Sequence, residues 1–296
     1  MRDETTSGIK PNDLHRWVRR SGPPFPKEIL EFGYDNPRHA LTLSEHVHEN
    51  AFEFVVIEKG LAAWELDEGR FQTRAGDVFH TRPGEVHRGG YEVIEPCRFW
   101  WIQLEIPAPS ELHALPENWL SMPPVEATPL VFGIWNLPRV HHCGPLITTS
   151  LKGLRETVER HDPLSHLKSR VAVIDFLVRL LQPERHSSIP SDVLAGLEEI
   201  TNRMNASPDW HPRIPELANR LGVSVSHFHR IFRDYTGLSP MNYVERLRMQ
   251  EACYLLETTD DSITKISFDL GYATSQHFAT VFRRITGKSP SQWRRK

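Results

Sequence analysis

The chain carries the stretch Gly222-Val223-Ser224-Val225-Ser226-His227-Phe228, which returns in a slightly longer form as Gly271-Tyr272-Ala273-Thr274-Ser275-Gln276-His277-Phe278. Each copy is followed, at the same spacing, by a further Phe, a Gly and a Pro: Phe232, Gly237 and Pro240, then Phe282, Gly287 and Pro290. A short helix, a glycine turn and a second helix form a helix-turn-helix unit. Because such units present a helix to a groove of DNA, the repeat predicts a DNA-binding domain.

The composition allows two domains and favours DNA as the partner of the second. The 296 residues are 39% hydrophobic and 25% charged, which is enough to build a core in each of two domains. Residues 1–191 carry 21 Lys and Arg against 26 Asp and Glu, whereas residues 192–296 carry 14 against 12. The half that holds the repeat is therefore the basic half, which suits a polyanion.

The cysteine pattern and the lack of long apolar runs argue against several other classes of protein. The 3 cysteines are scattered and predict neither a disulfide framework nor a zinc finger. The sequence shows no signal-peptide pattern near Met1 and no long apolar run. We therefore expect a cytoplasmic protein that does not contact a membrane.

The pattern along the chain predicts a multidomain α+β protein. Residues 41–145 contain short apolar runs broken by glycines, which is typical of a small β-barrel or sandwich. The Pro-rich part of this region is expected to be irregular with a strand near Leu130. The full predicted order is an arm (1–40), the barrel (41–145), a helical segment (146–182), a linker (183–191) and an all-α DNA-binding domain (192–296).

The helical segment has two possible roles. Apolar residues recur at helical spacing from Leu151 to Val158 and from Leu167 to Leu181, which predicts two amphipathic helices. Such a pair can form the interface of a homodimer or can cover the barrel. The sequence leaves both interpretations open, and we expect a homodimer.

Roughly the last 80 residues resemble the AraC family of bacterial transcription regulators. The resemblance is carried by Leu217-Ala218, Phe228, Phe232, Gly237, Ser239-Pro240, Gly271-Tyr272, Phe278, Phe282, Gly287, Ser289-Pro290 and Trp293-Arg294. It implies a seven-helix domain in which a central helix joins two recognition helices. These helices would enter successive major grooves on one face of double-stranded DNA.

The family's recognition positions fall on residues with suitable chemistry. The side chains expected nearest the base edges are Ser226, His229 and Arg230 in the first unit and Ser275, Gln276, Ala279 and Thr280 in the second. Arg pairs with guanine, Gln pairs with adenine, and the methyl groups of Ala and Thr contact thymine. Arg233 and Arg283 lie one turn further along and are expected to hold phosphates.

The N-terminal region is similar to cupin barrels in two motifs. His46-Val47-His48 with Glu53 and Gly60 matches the first motif, and the run from Gly76 through Pro83-Gly84-Glu85-Val86-His87 matches much of the second. In that family the corresponding side chains, here His46, His48, Glu53 and His87, converge on a metal ion. Ala40, Arg82 and Tyr91 depart from the motifs.

Sensor domains of AraC-type regulators are themselves cupin-like and usually bind a small effector, commonly a sugar, without a metal. The resemblance therefore implies no required cofactor, while a divalent metal in the barrel stays an open possibility. The effector is expected to contact His46, His48, Glu53, Trp64, His80 and His87, with ordinary core packing as the alternative for Trp64.

The function expected from these features is effector-controlled binding to promoters, without catalysis. RNA polymerase is a further expected partner if the chain activates transcription. The alternative is a metal-dependent cupin enzyme fused to a DNA-binding domain, which would need an open metal position and substrate turnover.

Overall fold

The computed structural model describes residues 14–18, 25–37, 40–112, 118–160, 162–182, 189–207, 210 and 213–294. It divides into two compact units. The first holds the described parts of Met1–Pro37, Leu43–Glu92 and Cys97–His186, and the second those of Arg38–Thr42, Val93–Pro96 and Ser187–Lys296. The boundary after His186 falls within the predicted linker 183–191, most of which lies outside the described residues.

The described strands of the first unit form two sheets. One has six strands in the order β1-β2-β10-β4-β7-β11, and the other has three in the order β6-β5-β8. The strands are β1 (Leu14–Val18), β2 (Ile29–Asp35), β4 (Phe52–Lys59), β5 (Leu61–Leu66), β6 (Gly69–Arg74), β7 (Asp77–Thr81), β8 (His87–Gly89), β10 (Arg98–Leu104) and β11 (Val140–His142). The short strands β3 (Leu41–Thr42) and β9 (Val93–Ile94) pair with each other and group with the second unit.

Alternation along β4 gives the six-stranded sheet two different faces. Phe52, Phe54 and Val56 join a large apolar core that also contains Phe176 and Leu177 from a helix described below. Glu53 occupies an alternate position on β4, so its side chain lies on the other face of the sheet. Aromatic packing joins the two sheets, since Trp64 on β5 stacks on Phe79 on β7 with ring centroids 4.8 Å apart.

One sequence prediction for this unit needs correction. The part of the chain expected to be an arm before the barrel contributes β1 and β2, which pair with each other and, through β2, with β10. The predicted fold class, a sheet-and-helix unit followed by an all-α unit, is confirmed, and the described strands of the first unit form separate sheets rather than one continuous ring of paired strands. The architecture is a mixed sheet-and-helix domain.

In the described residues of the first unit, three α-helices accompany the sheets: α1 (Pro124–Trp135), α2 (Ile147–Arg160) and α3 (Ser165–Leu181). The strand predicted near Leu130 was wrong, because this residue lies within α1, whose first turn accommodates Pro124. Leu151, Leu154 and Val158 of α2 are buried in the apolar core, as are Phe176 and Leu177 of α3. Many of the apolar residues that recur at helical spacing in this segment therefore pack on the sheet. This agrees with the second interpretation, in which the helices cover the strands.

Seven helices form the described part of the second unit beyond Ser187. They are α4 (Ser191–Ala206), α5 (Ile214–Arg220), α6 (Val225–Thr236), α7 (Pro240–Thr258), α8 (Ile263–Asp269), α9 (Ser275–Thr286) and α10 (Pro290–Arg294). This number and the long central α7 agree with the prediction from the sequence. Across the described ranges, every helix is too short or too polar to cross a lipid bilayer.

Candidate functional site

The two helix-turn-helix units repeat each other in atomic detail. The hydroxyl of Ser224 accepts a hydrogen bond from the backbone N–H of His227, and the hydroxyl of Thr274 accepts one from His277, both at 3.2 Å. These side chains cap α6 and α9, because the first N–H groups of a helix have no partner within it. The caps start both helices where the sequence predicted.

Glycine ends both helices in the same way. Gly237 and Gly287 have φ values of 78° and 75°, in the left-handed region that side-chain-bearing residues rarely adopt. Their N–H groups donate to the carbonyls of Arg233 and Arg283. A glycine therefore recurs at the end of each helix because the backbone there adopts a left-handed conformation.

Paired phenylalanines hold each helix against its domain. The rings of Phe228 and Phe232 are 5.5 Å apart, and those of Phe278 and Phe282 are 5.6 Å apart. Phe232 meets Tyr243 of α7 edge-on at 5.6 Å, and all four phenylalanines are fully buried. Because the buried side of each helix is occupied in this way, its opposite side is available to solvent or DNA.

The predicted base-contacting and phosphate-contacting residues all lie away from the buried phenylalanines. Six are exposed (Ser226, Arg230, Arg233, Gln276, Thr280 and Arg283) and three are half-buried (His229, Ser275 and Ala279). Arg284 differs from its neighbour Arg283, since its guanidinium pairs with Glu245 of α7. The structure thus presents one row of predicted DNA contacts on α6 and one on α9.

The first unit contains a histidine–carboxylate cluster, defined as His46, His48, Glu53 and His87. His46 and His48 precede β4, Glu53 lies on β4, and His87 begins β8. His46 and His87 exchange two backbone hydrogen bonds of 3.0 Å, which bring the two motifs together. One ligand atom from each of the four side chains lies within 4.8 Å of the others. The structure therefore gathers all four residues predicted as metal ligands.

Glu53 is the electrostatic centre of this cluster. Its Oε1 lies 3.3 Å from His48 Nε2, and its Oε2 lies 3.2 Å from His87 Nε2. Burial by itself would raise the pKa of Glu53, but hydrogen bonds from His48 and His87 outweigh it and hold the pKa below its usual range. Burial and then the nearby His87 lower the pKa of His46. The site thus combines an ionised carboxylate with a neutral imidazole.

A row of buried polar residues crosses the same face of the sheet. The strand register places Gln103 of β10 between Glu31 of β2 and Glu53, and it places Thr81 of β7 opposite Glu53. Directly opposed residues share a face of a sheet, and these four residues are buried. We call Glu31, Gln103, Glu53 and Thr81 the polar row.

Sequence reasoning found only Glu53 of this row. Gln103 is a polar residue within the apolar strand β10, so strand alternation was a usable signal for it. Glu31 was missed because β2 had been assigned to the arm. Thr81 carried no signal that distinguishes it from an ordinary strand residue.

Two predicted effector-binding residues lie apart from the cluster. His80 pairs with Phe54 in the strand register, and its ring lies 5.9 Å from that of Phe54 and 6.2 Å from that of Phe52. It therefore occupies the core face, on the other side of the sheet from Glu53. Trp64 is 1% exposed and donates its indole N–H to Thr73 Oγ1 at 3.0 Å, so its contacts are those of core packing.

A unit with a buried polar row and a histidine–carboxylate cluster on one face of its sheet, together with a unit that presents two exposed helices from helix-turn-helix pairs, indicates a ligand-binding, DNA-binding regulator. Comparisons with known proteins agree with this class. Residues 28–171 match the model of the AraC-like ligand binding domain, and residues 217–296 match the model of a helix-turn-helix domain. The chain belongs to the AraC family of transcription regulators.

Individual relatives match different shares of the chain. The HTH-type transcriptional activator RhaS of Pectobacterium carotovorum subsp. carotovorum is 26% identical over 259 residues, which is 84% of this chain and 87% of that protein. RhaS of Escherichia fergusonii is 45% identical over 78 residues, 26% of this chain and 28% of that protein. A solved structure of the DNA-binding domain of AdpA, a global transcriptional factor, in complex with a target DNA is 29% identical, with 34% of this chain and 90% of that chain covered and a TM-score of 0.32.

These comparisons bear on the alternative function. The relatives are transcription regulators, and the interpretation as a metal-dependent enzyme finds no support among them.

Proposed function

We propose that this chain controls transcription by binding a two-part promoter site through α6 and α9 in response to a small polar effector. The observation that carries the proposal is the pair of helices with the same caps, the same buried phenylalanines and outward rows of polar and basic side chains. We place this activity in the cytoplasm, the compartment that holds bacterial DNA.

Each outward row suits a different set of bases. Arg230 has the fork of donors that guanine accepts, Gln276 matches adenine, and the methyl groups of Ala279 and Thr280 suit thymine. Arg233 and Arg283 at the far ends of the rows suit phosphates. If the two helices enter successive major grooves, the contacted segments lie one helical turn apart, about 10 base pairs.

Selection of binding sites from random DNA, followed by footprinting, tests this proposal with the full chain. We expect two protected segments whose centres lie roughly one helical turn apart. Arg230→Ala should relax base preference in one segment only. The matched control is Arg160→Ala, an exposed arginine at the end of α2 in the first unit, which should leave the footprint unchanged. A footprint confined to one segment would contradict reading by both helices.

The polar row and the cluster suit an effector with several hydroxyl groups, such as a sugar. Carboxylates, an amide and a hydroxyl in one row offer both acceptors and donors to such a ligand. Within the row, Gln103 donates to Glu53, whereas Glu31 pairs with Arg16. The buried hydroxyl of Thr81 has no partner among the described residues. A bound polyol would provide partners to the row.

The effector proposal is tested by thermal melting of the full chain with a panel of sugars and related polyols. A ligand that binds only the folded state raises the melting temperature, because it stabilises that state by RT ln(1 + [L]/Kd). Gln103→Leu should abolish the shift, whereas the control Gln72→Leu, which changes an exposed glutamine on β6, should keep it. An unchanged shift in Gln103→Leu would place the effector elsewhere.

A stripe on α3 supports the proposed homodimer. Leu164 at its N-terminal end and Leu167, Val171 and Val178 within it are 57%, 48%, 56% and 37% exposed. Their spacing follows the a and d positions of a heptad, the pattern by which two helices pack along a shared seam. A second copy of the chain would bring an identical stripe, so the interface would be self-complementary.

We extend the proposal to activation of transcription, with RNA polymerase as a protein partner. The supporting observation is that both RhaS relatives are named as transcriptional activators. Transcription in vitro from a selected promoter, with and without an effector found by melting, tests the direction. A fall in transcript when the protein is added would make the chain a repressor under those conditions.

A further inference from the structure

A second pocket lies in the first unit, beside α3. Its cavity of about 540 Å³ is walled by the loop before β2, by residues 118–121 and by the beginning of α3. This helix packs on the face of the sheet that carries Phe54, whose ring lies 5.8 Å from that of Phe176. The polar row lies on the opposite face of the sheet. The pocket is therefore separate from the polar row, and its volume suits a small metabolite.

Three basic side chains line this pocket: Lys27, His166 and Arg170. His166 and Arg170 lie four positions apart on α3, so they share one side of the helix. Elsewhere on α3, Arg179 pairs with Asp175. Among the residues that the structure describes, neither His166 nor Arg170 has a carboxylate partner. Both side chains are thus available to an anionic group in the pocket.

One wall of the pocket has a strained backbone. Leu120 and Ser121 have φ values of 50° and 55°, a left-handed conformation that residues with side chains adopt only at a cost in energy. Leu120 is 2% exposed and donates its N–H to Glu28 Oε1 at 3.0 Å, and Trp119 donates its indole N–H to the carbonyl of Glu105 at 2.9 Å. These contacts hold the wall in place, so a ligand would meet a preformed pocket.

Glu28 restricts the kind of ligand that this pocket can accept. Its carboxylate is 6% exposed and lines the same cavity as the three basic side chains. A simple inorganic anion would be repelled by this carboxylate, whereas a ligand that also carries hydroxyl groups could donate hydrogen bonds to it.

We propose that the pocket beside α3 binds a small hydroxylated metabolite that carries one phosphate or carboxylate group. The anionic group would contact Arg170, whose planar guanidinium can donate two parallel hydrogen bonds to either kind of anion. Lys27 and His166 would add donors from two other sides of the pocket, and the hydroxyl groups would lie towards Glu28.

This site does not depend on the effector proposed for the polar row. Gln103→Leu should therefore leave anion binding unchanged, and Arg170→Ala should leave the melting shift caused by a neutral sugar unchanged. Leu167 lines the pocket and also belongs to the exposed stripe of α3, but the basic side chains all come from one chain. The proposal therefore requires no dimer.

Isothermal titration calorimetry with the full chain tests the proposal. The probes are glucose 6-phosphate, gluconate and, as the neutral comparison, glucose. At least one of the two anions should bind, and the stronger of them tells whether the pocket prefers phosphate or carboxylate. Added salt should weaken this binding. Arg170→Ala should weaken it by roughly 10- to 100-fold, the usual effect of removing hydrogen bonds to a charged group.

Arg179→Ala is the matched control. It removes the same charge from the same helix, about 13 Å further along its axis, and should bind the anion as the unmodified chain does. Arg283→Ala serves as a second control, because anions could also collect on the basic side of α9. Lys27→Ala changes an exposed residue in a loop and should weaken binding without disturbing α3.

Three results would overturn the proposal. They are a chain that binds neither anion at millimolar concentration, Arg170→Ala and Lys27→Ala proteins with unchanged circular dichroism and unchanged affinity, and an equal loss of affinity in Arg179→Ala or Arg283→Ala. Should Arg170→Ala unfold, Lys27→Ala decides the matter.

Discussion

Glu53 and His80 lie on opposite faces of the same pair of strands. In the register of β4 and β7, Glu53 pairs with Thr81 and Phe54 pairs with His80. Glu53 consequently faces the three histidines of the cluster, whereas His80 is 1% exposed among the aromatic rings of the core. Adjacent positions on these strands thus place a polar site on one face of the sheet and a buried histidine on the other face.

The first prediction concerns pH and His80. Burial, and then the positive charges of Arg139 and Arg82, lower the pKa of His80 to about 3. The unfolded chain protonates this histidine near its ordinary value of about 6.5, so below that pH the unfolded state binds a proton that the folded state does not. His80 therefore makes the protein lose stability as pH falls from about 6.5 towards 3, by at most ~1.4 kcal/mol per pH unit.

His80→Leu should remove this dependence. Urea denaturation of the variant and the unmodified chain at pH 7 and pH 5 should show that the variant gains relative stability at the lower pH. A difference between the two proteins that stays constant across this interval would mean that the folded chain protonates His80 as readily as the unfolded chain does.

The second prediction separates base reading from phosphate binding. Arg230→Ala should cost about 1 to 3 kcal/mol on the selected site and relax selectivity at one base position. Arg283→Ala should weaken binding to selected and random DNA alike and reduce the dependence of affinity on salt. Binding measured by fluorescence anisotropy at several salt concentrations checks both. Identical losses for the two variants on both kinds of DNA would refute the division.

The third prediction concerns the caps of the recognition helices. Ser224→Ala and Thr274→Ala should each destabilise the protein by about 1 kcal/mol, because each leaves a helix N–H without its side-chain acceptor. Ser226→Ala is the control, since Ser226 lies exposed within α6 and is not its cap. Thermal melting compares the three. The interpretation fails if Ser226→Ala costs as much as the cap variants.

The fourth prediction distinguishes the two sides of α3. Val171→Glu should produce a folded monomer, because Val171 is 56% exposed on the proposed seam. Leu177→Glu should instead unfold the first unit, since Leu177 is completely buried and a charge there has no partner. Light scattering coupled to size-exclusion chromatography, with circular dichroism, separates these outcomes. A Val171→Glu protein that stays dimeric would place the interface elsewhere.

The helix-turn-helix prediction was confirmed because its determinants are local. A hydroxyl at Ser224 or Thr274 caps the residues that immediately follow it, and Gly237 or Gly287 ends the helix one turn after the last buried phenylalanine. Both signals are complete within a few neighbouring residues. The assignment of individual side chains to bases stays a prediction.

The first unit was harder to predict because strands are defined by distant partners. Residues 14–18 and 29–35 are strands chiefly through the pairing of β2 with β10, far along the chain. Without that partner, their sequence was grouped with a polar arm. The motifs around His46 and His87 nevertheless predicted correctly which side chains would meet.

The sequence by itself determined that two capped helices present basic and polar residues on their outer sides, since helical spacing decides which side chains share a face. Only the tertiary structure decided that Glu31, Gln103 and Thr81 lie beside Glu53, that His80 lies behind it, and that Leu177 is buried while Val171 is exposed. The physical reason is that strand register and the docking of a helix depend on packing between segments far apart in the chain. A shift of a strand by one residue would move each of its side chains to the opposite face of the sheet.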